Sequence, residues 1–173
     1  MDNREDVGHA FWNRKFQEDV LPRYAESILS TKEIKLKELL FKIYHNIYPT
    51  KVQLEKMKKE DNNKCDYCGE IDFIEHAFTD CQRIKVFWNQ VLEWIKKELD
   101  IHIPVDAMKQ LFGIVRGEGF MYKGKSTNKA NHILIIAKFA IIKSKYYDGE
   151  NVKGVFETEI KKNVCITLGT DMV

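Results

Sequence analysis

Apolar residues recur every three or four positions along several stretches of this chain, the spacing that places side chains on one face of an α-helix. A clear stretch ends at residue 47, shortly before a proline, and the clearest of all follows residue 81. Their apolar positions are Leu36, Leu39, Leu40, Ile43, Tyr44 and Ile47, then Ile84, Phe87, Trp88, Val91, Leu92, Ile95 and Leu99. These patterns predict an all-α fold with Trp88 in its core.

The second half continues the helical pattern less regularly. A brief helix is predicted over residues 105–112, and a longer one from Asn128 or Asn131 to about Tyr147 that is apolar almost all round and therefore buried. A last helix over residues 152–168 carries Cys165 on its apolar side, where an inert buried thiol is expected.

Polar residues indicate where several helices begin. Ser30-Thr31-Lys32-Glu33 has the form of a capping box, and Asp80 is a candidate N-cap for the helix that follows it. A shorter helix is predicted over residues 51–59. No repeat or low-complexity tract interrupts the pattern.

Between these helices lies a motif with a chemistry of its own, Cys65-x2-Cys68-x7-His76-x4-Cys81. Thiolate and imidazole are the ligands that Zn²⁺ prefers, and four protein ligands form a closed structural site. Gly69 suits the tight turn after the second cysteine because it tolerates a positive φ and lets backbone N–H groups face the sulfurs. The alternative is disulfide pairing, but the fourth cysteine of the chain, Cys165, lies far away.

Length and composition set the organisation. The chain of 173 residues is long enough for one core, and we divide it into a polar N-terminal segment (1–29), a zinc-binding helical region (30–100) and a C-terminal helical region packed on it (101–173). Neither a secretory signal nor a membrane span is recognisable, so we expect an intracellular protein, nuclear or cytoplasmic, in a reducing environment.

The net charge of +2 is uninformative, but the distribution of charge is not. Residues 119–147 contain no acidic side chain, whereas the segment from Cys65 to Cys81 contains no lysine or arginine. We therefore expect phosphate contacts from lysines that flank the metal loop. They are Lys123, Lys125, Lys129, Lys143 and Lys145, with Lys51, Lys58 and Lys59 as a second patch. The alternative for all of them is an ordinary solvated surface.

The linear order of motifs resembles a known family. Ile43-Tyr44-His45-Asn46-Ile47-Tyr48-Pro49-Thr50 precedes the first cysteine pair, and Glu75-His76-x-Phe78-x2-Cys81 precedes Trp88. This order is similar to the zinc-binding region that follows the polymerase domain in reverse transcriptases of non-LTR retrotransposons. Asp72-Phe73 and Ala77 depart from the family's usual residues. The resemblance implies a non-catalytic module that helps a reverse transcriptase hold RNA template or target DNA, with the polymerase domain as a further partner.

Catalytic motifs are missing from the sequence. A polymerase needs a pair of adjacent aspartates for its metal ions, and the chain has none. A restriction-like nuclease would need a Pro-Asp together with a Glu-x-Lys, and the chain has no Pro-Asp. Glu159-x-Lys161 fits the second pattern, but a solvated helix face explains that pair better. A rival class of function is a zinc-stabilised protein interaction module, in which the acidic loop and apolar helices dock to a partner.

Overall fold

The computed structural model describes residues 4–118, 124–146 and 151–167, and regular structure in these ranges is helical. The helices are α1 (Arg4–Phe16), α2 (Leu21–Leu29), α3 (Ile34–Tyr44), α4 (Lys51–Lys56), α5 (Gln82–Leu99), α6 (Ala107–Phe112), α7 (Gly124–Tyr146) and α8 (Val152–Thr167), with a π-helical turn at His76–Asp80 before α5. The predicted all-α fold is confirmed. In the described ranges, the only strand-like pairing is one antiparallel bridge between Lys64 and Ile71.

Helix α7 lies at the centre of the molecule and contacts α2, α3, α5, α6 and α8. Eleven of its residues, 130–138 and 140–141, are buried and lie almost all round the helix, with only Phe139 between them partly exposed. This agrees with the nearly continuous apolar pattern of its sequence. No helix among the described residues combines the length and the apolarity that crossing a bilayer requires.

Helix α5 is the second large element of the core. It packs through the apolar positions that were predicted from its sequence. Trp88 is fully buried, as expected, and its indole N–H donates to the carbonyl of Phe78 at 2.6 Å. Phe87 packs edge-on against Phe156 of α8, with ring centroids 5.5 Å apart. The metal-binding segment and the C-terminal helix are therefore joined through one helix.

The N-terminal segment contributes to the same core rather than covering it as a polar extension. Trp12 of α1 is fully buried, and its indole N–H lies 3.1 Å from the carbonyl of Ile43 and 3.0 Å from that of Tyr44. A Cβ at Gly8 would lie 2.5 Å from the backbone of His45, so only glycine permits this approach of α1 to α3. The three-part division of the chain stays a prediction, but its first part is helical and packed.

Two predicted helix starts are wrong. Ser30 does not begin α3; it ends α2, where its hydroxyl donates to the carbonyl of Ser27 at 2.6 Å, and α3 starts only at Ile34. Asp80 is not the N-cap of α5, because residues 76–80 form the π-helical turn and Cys81 takes the capping position.

Other helix boundaries also differ from the predicted ones. Helix α4 ends at Lys56 rather than near residue 59, and α6 begins after Asp106, whose carboxylate accepts the N–H of Lys109 at 2.9 Å. Helix α7 begins at Gly124, before either asparagine proposed as its cap. Asn131 is instead buried and exchanges two hydrogen bonds with the backbone of Ile114. The side chain of Cys165 lies outside the described residues.

Candidate metal centre

A tight hairpin positions the first two cysteines. The N–H of Cys65 donates to the carbonyl of Glu70 at 2.7 Å, and the N–H of Gly69 donates to the carbonyl of Cys65 at 2.9 Å. Gly69 has a φ of 77°, as the sequence predicted for this turn. The hairpin brings both thiols to the same side of the loop, which is what the Cys-x2-Cys spacing achieves in zinc sites.

The π-helical turn positions the other two ligands. A π-helical hydrogen bond joins residues five apart, and here the N–H of Cys81 donates to the carbonyl of His76 at 3.1 Å. That single turn places the imidazole and the third thiol together. Because Cys81 also caps α5, the site is anchored directly to a core helix.

The four ligand atoms have the dimensions of a zinc site. One atom from each of Cys65, Cys68, His76 and Cys81 lies within 4.8 Å of the others. The sulfurs of Cys68 and Cys81 are 4.0 Å apart, and Nε2 of His76 is 3.3 Å from the sulfur of Cys68. A regular tetrahedron with Zn–S bonds of about 2.3 Å separates its sulfurs by about 3.8 Å. These residues therefore hold a structural Zn²⁺, which braces the loop and supplies no open position for a reactant.

The protonation of the thiols also fits a dication. Burial acts to raise the pKa of Cys65, but the N–H groups of Cys68 and Tyr67 and the ring of His76 outweigh it and lower that pKa to about 7. Burial raises the pKa of Cys81 to about 11, and the negative charge of Cys65 adds to the effect. Thiols so placed do not all ionise at neutral pH without a positive charge between them, and Zn²⁺ supplies it.

Side chains from outside the loop pair with its two buried carboxylates, Glu75 and Asp72. Lys15 of α1 forms an ion pair with the buried Glu75 and lies 5.3 Å from the ring centre of Phe73. Asp72, also buried, accepts the N–H of Lys51 at 3.2 Å and has the ammonium of Lys145 at 3.7 Å. The metal loop is therefore less repulsive to phosphate than its sequence suggests.

The structure scatters the lysines that were predicted to contact phosphate. Lys51 pairs with Asp66 at 3.0 Å, Lys143 pairs with Glu159 at 2.6 Å, and Lys145 faces Asp72. Lys58 and Lys59 are exposed, and no carboxylate of the described residues pairs with either. Lys129 is partly buried. Lys123 and the side chain of Lys125 lie outside the described residues.

Two residues differ from what their sequence context indicated. Glu159 does not lie on a solvated face: it is 2% exposed and held by Lys143, so that interpretation of Glu159-x-Lys161 is wrong. Arg83, which sequence reasoning did not single out, lines a cleft beside the metal site together with Lys51 and Lys145. Its position two residues after a ligand was the only signal available in the sequence.

The histidine next to the end of α3 does not join the metal site. The ring of His45 packs on Phe41, with centroids 4.2 Å apart, and edge-on to Tyr44. His45 is therefore a packed residue at the end of α3 rather than a fifth ligand.

Comparison with known families supports the metal site. A family model described as zinc-binding in reverse transcriptase matches residues 7–88, which include all four ligands and helices α2, α3 and α4. No solved structure gives a significant match. This part of the chain is therefore similar to the zinc-binding domains associated with reverse transcriptases, which confirms the coarser part of the resemblance.

Proposed function

We propose that this zinc-binding domain serves as a non-catalytic nucleic-acid-binding module of a non-LTR retrotransposon-type reverse transcriptase, where it helps to hold RNA template or target DNA. The observation that carries the proposal is a group of exposed lysines that leads into the metal loop. Lys56, Lys58, Lys59 and Lys64 are exposed and have no ion-pair partner among the described residues. Glu55 and Asp61 are the carboxylates that dilute them, since Glu60 pairs with Lys51.

Zinc has a mechanical role in this proposal. The exposed lysines lie between the last residue of α4, Lys56, and the first ligand, Cys65, so the metal fixes one end of the segment that presents them. A phosphate backbone gains affinity from such a surface by releasing condensed counterions, and no base sequence needs to be read. Lys125, Lys129, Lys143 and Lys145 of α7, with Lys123 from outside the described residues, remain a second proposed patch.

A salt titration tests the proposal. Binding of zinc-loaded protein to labelled RNA and to duplex DNA is measured by fluorescence anisotropy across a salt series. We expect log Kd to rise linearly with log salt. The double variant Lys58→Glu/Lys59→Glu should weaken binding and reduce the slope by about 2.

The matched control is Lys96→Glu/Lys97→Glu, which makes the same change of charge at exposed positions of α5. Binding that does not depend on salt, or an equal loss in the control, would contradict the proposal. Charge reversal at Lys125 and Lys129 tests the patch on α7 in the same assay.

One observation favours a second candidate, a protein interaction module. Leu29 and Ile34 flank the turn between α2 and α3 and are 78% and 82% exposed. Such neighbouring apolar residues suit contact with another protein, for instance a polymerase domain. A pull-down in which Leu29→Ser/Ile34→Ser loses a partner, while Lys58→Glu/Lys59→Glu keeps it, would favour this candidate.

A further inference from the structure

A cleft of about 590 Å³ adjoins the metal position and is lined partly by three of the ligands, Cys65, His76 and Cys81. The start of α4, the metal loop, the first turn of α5 and the end of α7 surround it, and its polar wall includes Lys51, Tyr67, Asp72, Arg83 and Lys145. A cleft of this volume lies within the range of sites that hold small organic groups.

The charges around the cleft balance. Lys51, Arg83 and Lys145 face three carboxylates of the same lining, Glu60, Asp66 and Asp72. Zn²⁺ with three thiolates adds one negative charge next to them. A free phosphate therefore gains no net attraction here, and the occupant is better sought among neutral groups that form hydrogen bonds.

Two atoms of the wall lack hydrogen-bond partners. Oδ1 of Asp72, a residue that is 4% exposed, accepts no hydrogen bond, and its nearest cation is Lys145 at 3.7 Å. Nη2 of Arg83 donates none, while Nη1 reaches only the hydroxyl of Ser144 at 3.5 Å. Buried polar groups are normally satisfied, so an unpaired acceptor and an unpaired donor in two residues that line the cleft call for an explanation.

The rim of the cleft carries an aromatic ring. Tyr67 lies between the two hairpin cysteines and is 65% exposed, although tyrosine gains by burial. Exposed aromatic rings beside basic residues are the stacking platforms of proteins that bind single strands. Lys58 and Lys59 are exposed and directly precede Glu60, which lines the cleft. We expect them to contact the phosphate backbone of a nucleic acid that enters the cleft.

We propose that this cleft binds one unstacked base of single-stranded nucleic acid. The base stacks on Tyr67, and its edge donates to Asp72 and accepts from Arg83. All nucleobases that carry an amino group present a donor and an acceptor on one edge, whereas paired bases of a duplex have that edge occupied. This inference rests on the proposed function and adds to it a preference for single strands.

The test compares a single-stranded RNA with a duplex of the same sequence. Tyr67→Ala should weaken binding of the single strand about tenfold and leave duplex binding unchanged, because stacking is lost and charge is not. Tyr67→Phe keeps the ring and should bind within about twofold of the wild type. Phe41→Ala, at an exposed aromatic residue of α3 outside the cleft lining, is the matched control and should change neither.

A second variant tests the base edge. Arg83→Gln should weaken binding of single strands about fivefold and change the ranking of labelled homopolymers, since a donor to the base is altered. A purely structural role for Arg83 would lower all homopolymers equally. Zinc content, measured with a colorimetric chelator, verifies that each variant keeps its fold.

The outcomes separate the two proposals. If the wild type binds no nucleic acid, both fail. If it binds with the expected salt dependence while Tyr67→Ala and Arg83→Gln bind single strands normally, only the cleft inference is overturned. Equal losses for single strand and duplex also overturn it. If Tyr67→Ala keeps RNA binding but loses a partner in the pull-down, the cleft is a protein site and the inference is wrong.

Discussion

Lys138 lies in the middle of α7 with its side chain fully buried, and its ammonium donates to the carbonyl of Gln110 at 2.7 Å. Burial lowers the pKa of Lys138 from 10.5 to about 7, because the charged form loses its hydration and gains no carboxylate. Near pH 7 the folded protein therefore holds this lysine in its charged and neutral forms in comparable amounts.

The free-energy cost of burying Lys138 follows from the difference in proton binding between the folded and the unfolded chain. Between about pH 7 and pH 10.5 the unfolded chain keeps the proton on Lys138 and the folded protein releases it. The free energy of unfolding consequently rises with pH in this window, by up to about 1.4 kcal/mol per pH unit and about 5 kcal/mol in all.

Replacing Lys138 with methionine removes this penalty at similar volume. Lys138→Met leaves the carbonyl of Gln110 without its donor, at a cost of about 1–2 kcal/mol. The net expectation is a variant about 3 kcal/mol more stable than the wild type at pH 7. The advantage should shrink as pH rises and reverse near pH 10.

The assay is urea denaturation of zinc-saturated protein, followed by tryptophan fluorescence from about pH 7 to pH 10. Only the difference between variant and wild type is interpreted, because other lysines, tyrosines and thiols titrate in both. Lys96→Met, at an exposed site on α5, serves as the control. Parallel pH profiles for the wild type and Lys138→Met, or a less stable variant at pH 7, would refute the reasoning.

Three further changes should have defined effects. Removing zinc with a chelator should unfold residues 64–81 and loosen α5, seen as lost helical circular dichroism that returns when zinc is added; an unchanged spectrum would contradict the role of the metal. Lys15→Met leaves the carboxylate of Glu75 buried without its partner, so urea denaturation should show a loss of about 3 kcal/mol and a competition titration should show about tenfold weaker zinc binding. The same change at Lys42, which pairs with an exposed glutamate, should cost under about 1 kcal/mol. Asn131→Ala strips two hydrogen bonds from the buried backbone of Ile114 and should destabilise by about 3 kcal/mol; a loss below about 1 kcal/mol would show that water replaces them.

The parts of the structure that the sequence predicted are those set by local spacing. Ligands close in sequence, such as Cys65 and Cys68, need only one turn to meet, so their spacing identified the metal. The apolar positions of α5 and α7 likewise determined which faces are buried, because helical periodicity acts within one element.

The parts that could not be predicted depend on contacts between distant segments. A serine such as Ser30 can hydrogen-bond the backbone at the end of one helix or at the start of the next. The packing of α2 decides that Ser30 ends α2 and does not begin α3. Glu159 is buried because α8 lies against Lys143, which its own sequence does not show. Arg83 faces a cleft only because the end of α7 meets the metal loop.

The π-helical turn links the metal site to the orientation of α5 about its own axis. Its five-residue interval holds both His76 and Cys81 at the ion, and α5 starts directly afterwards. Loss of one residue within the turn would rotate every later side chain of α5 by about 100° and carry Trp88 off its inward face. The ion thus acts as a rotational reference for the helix, so the length of this turn is constrained by the packing of the core as strictly as by the geometry of the metal.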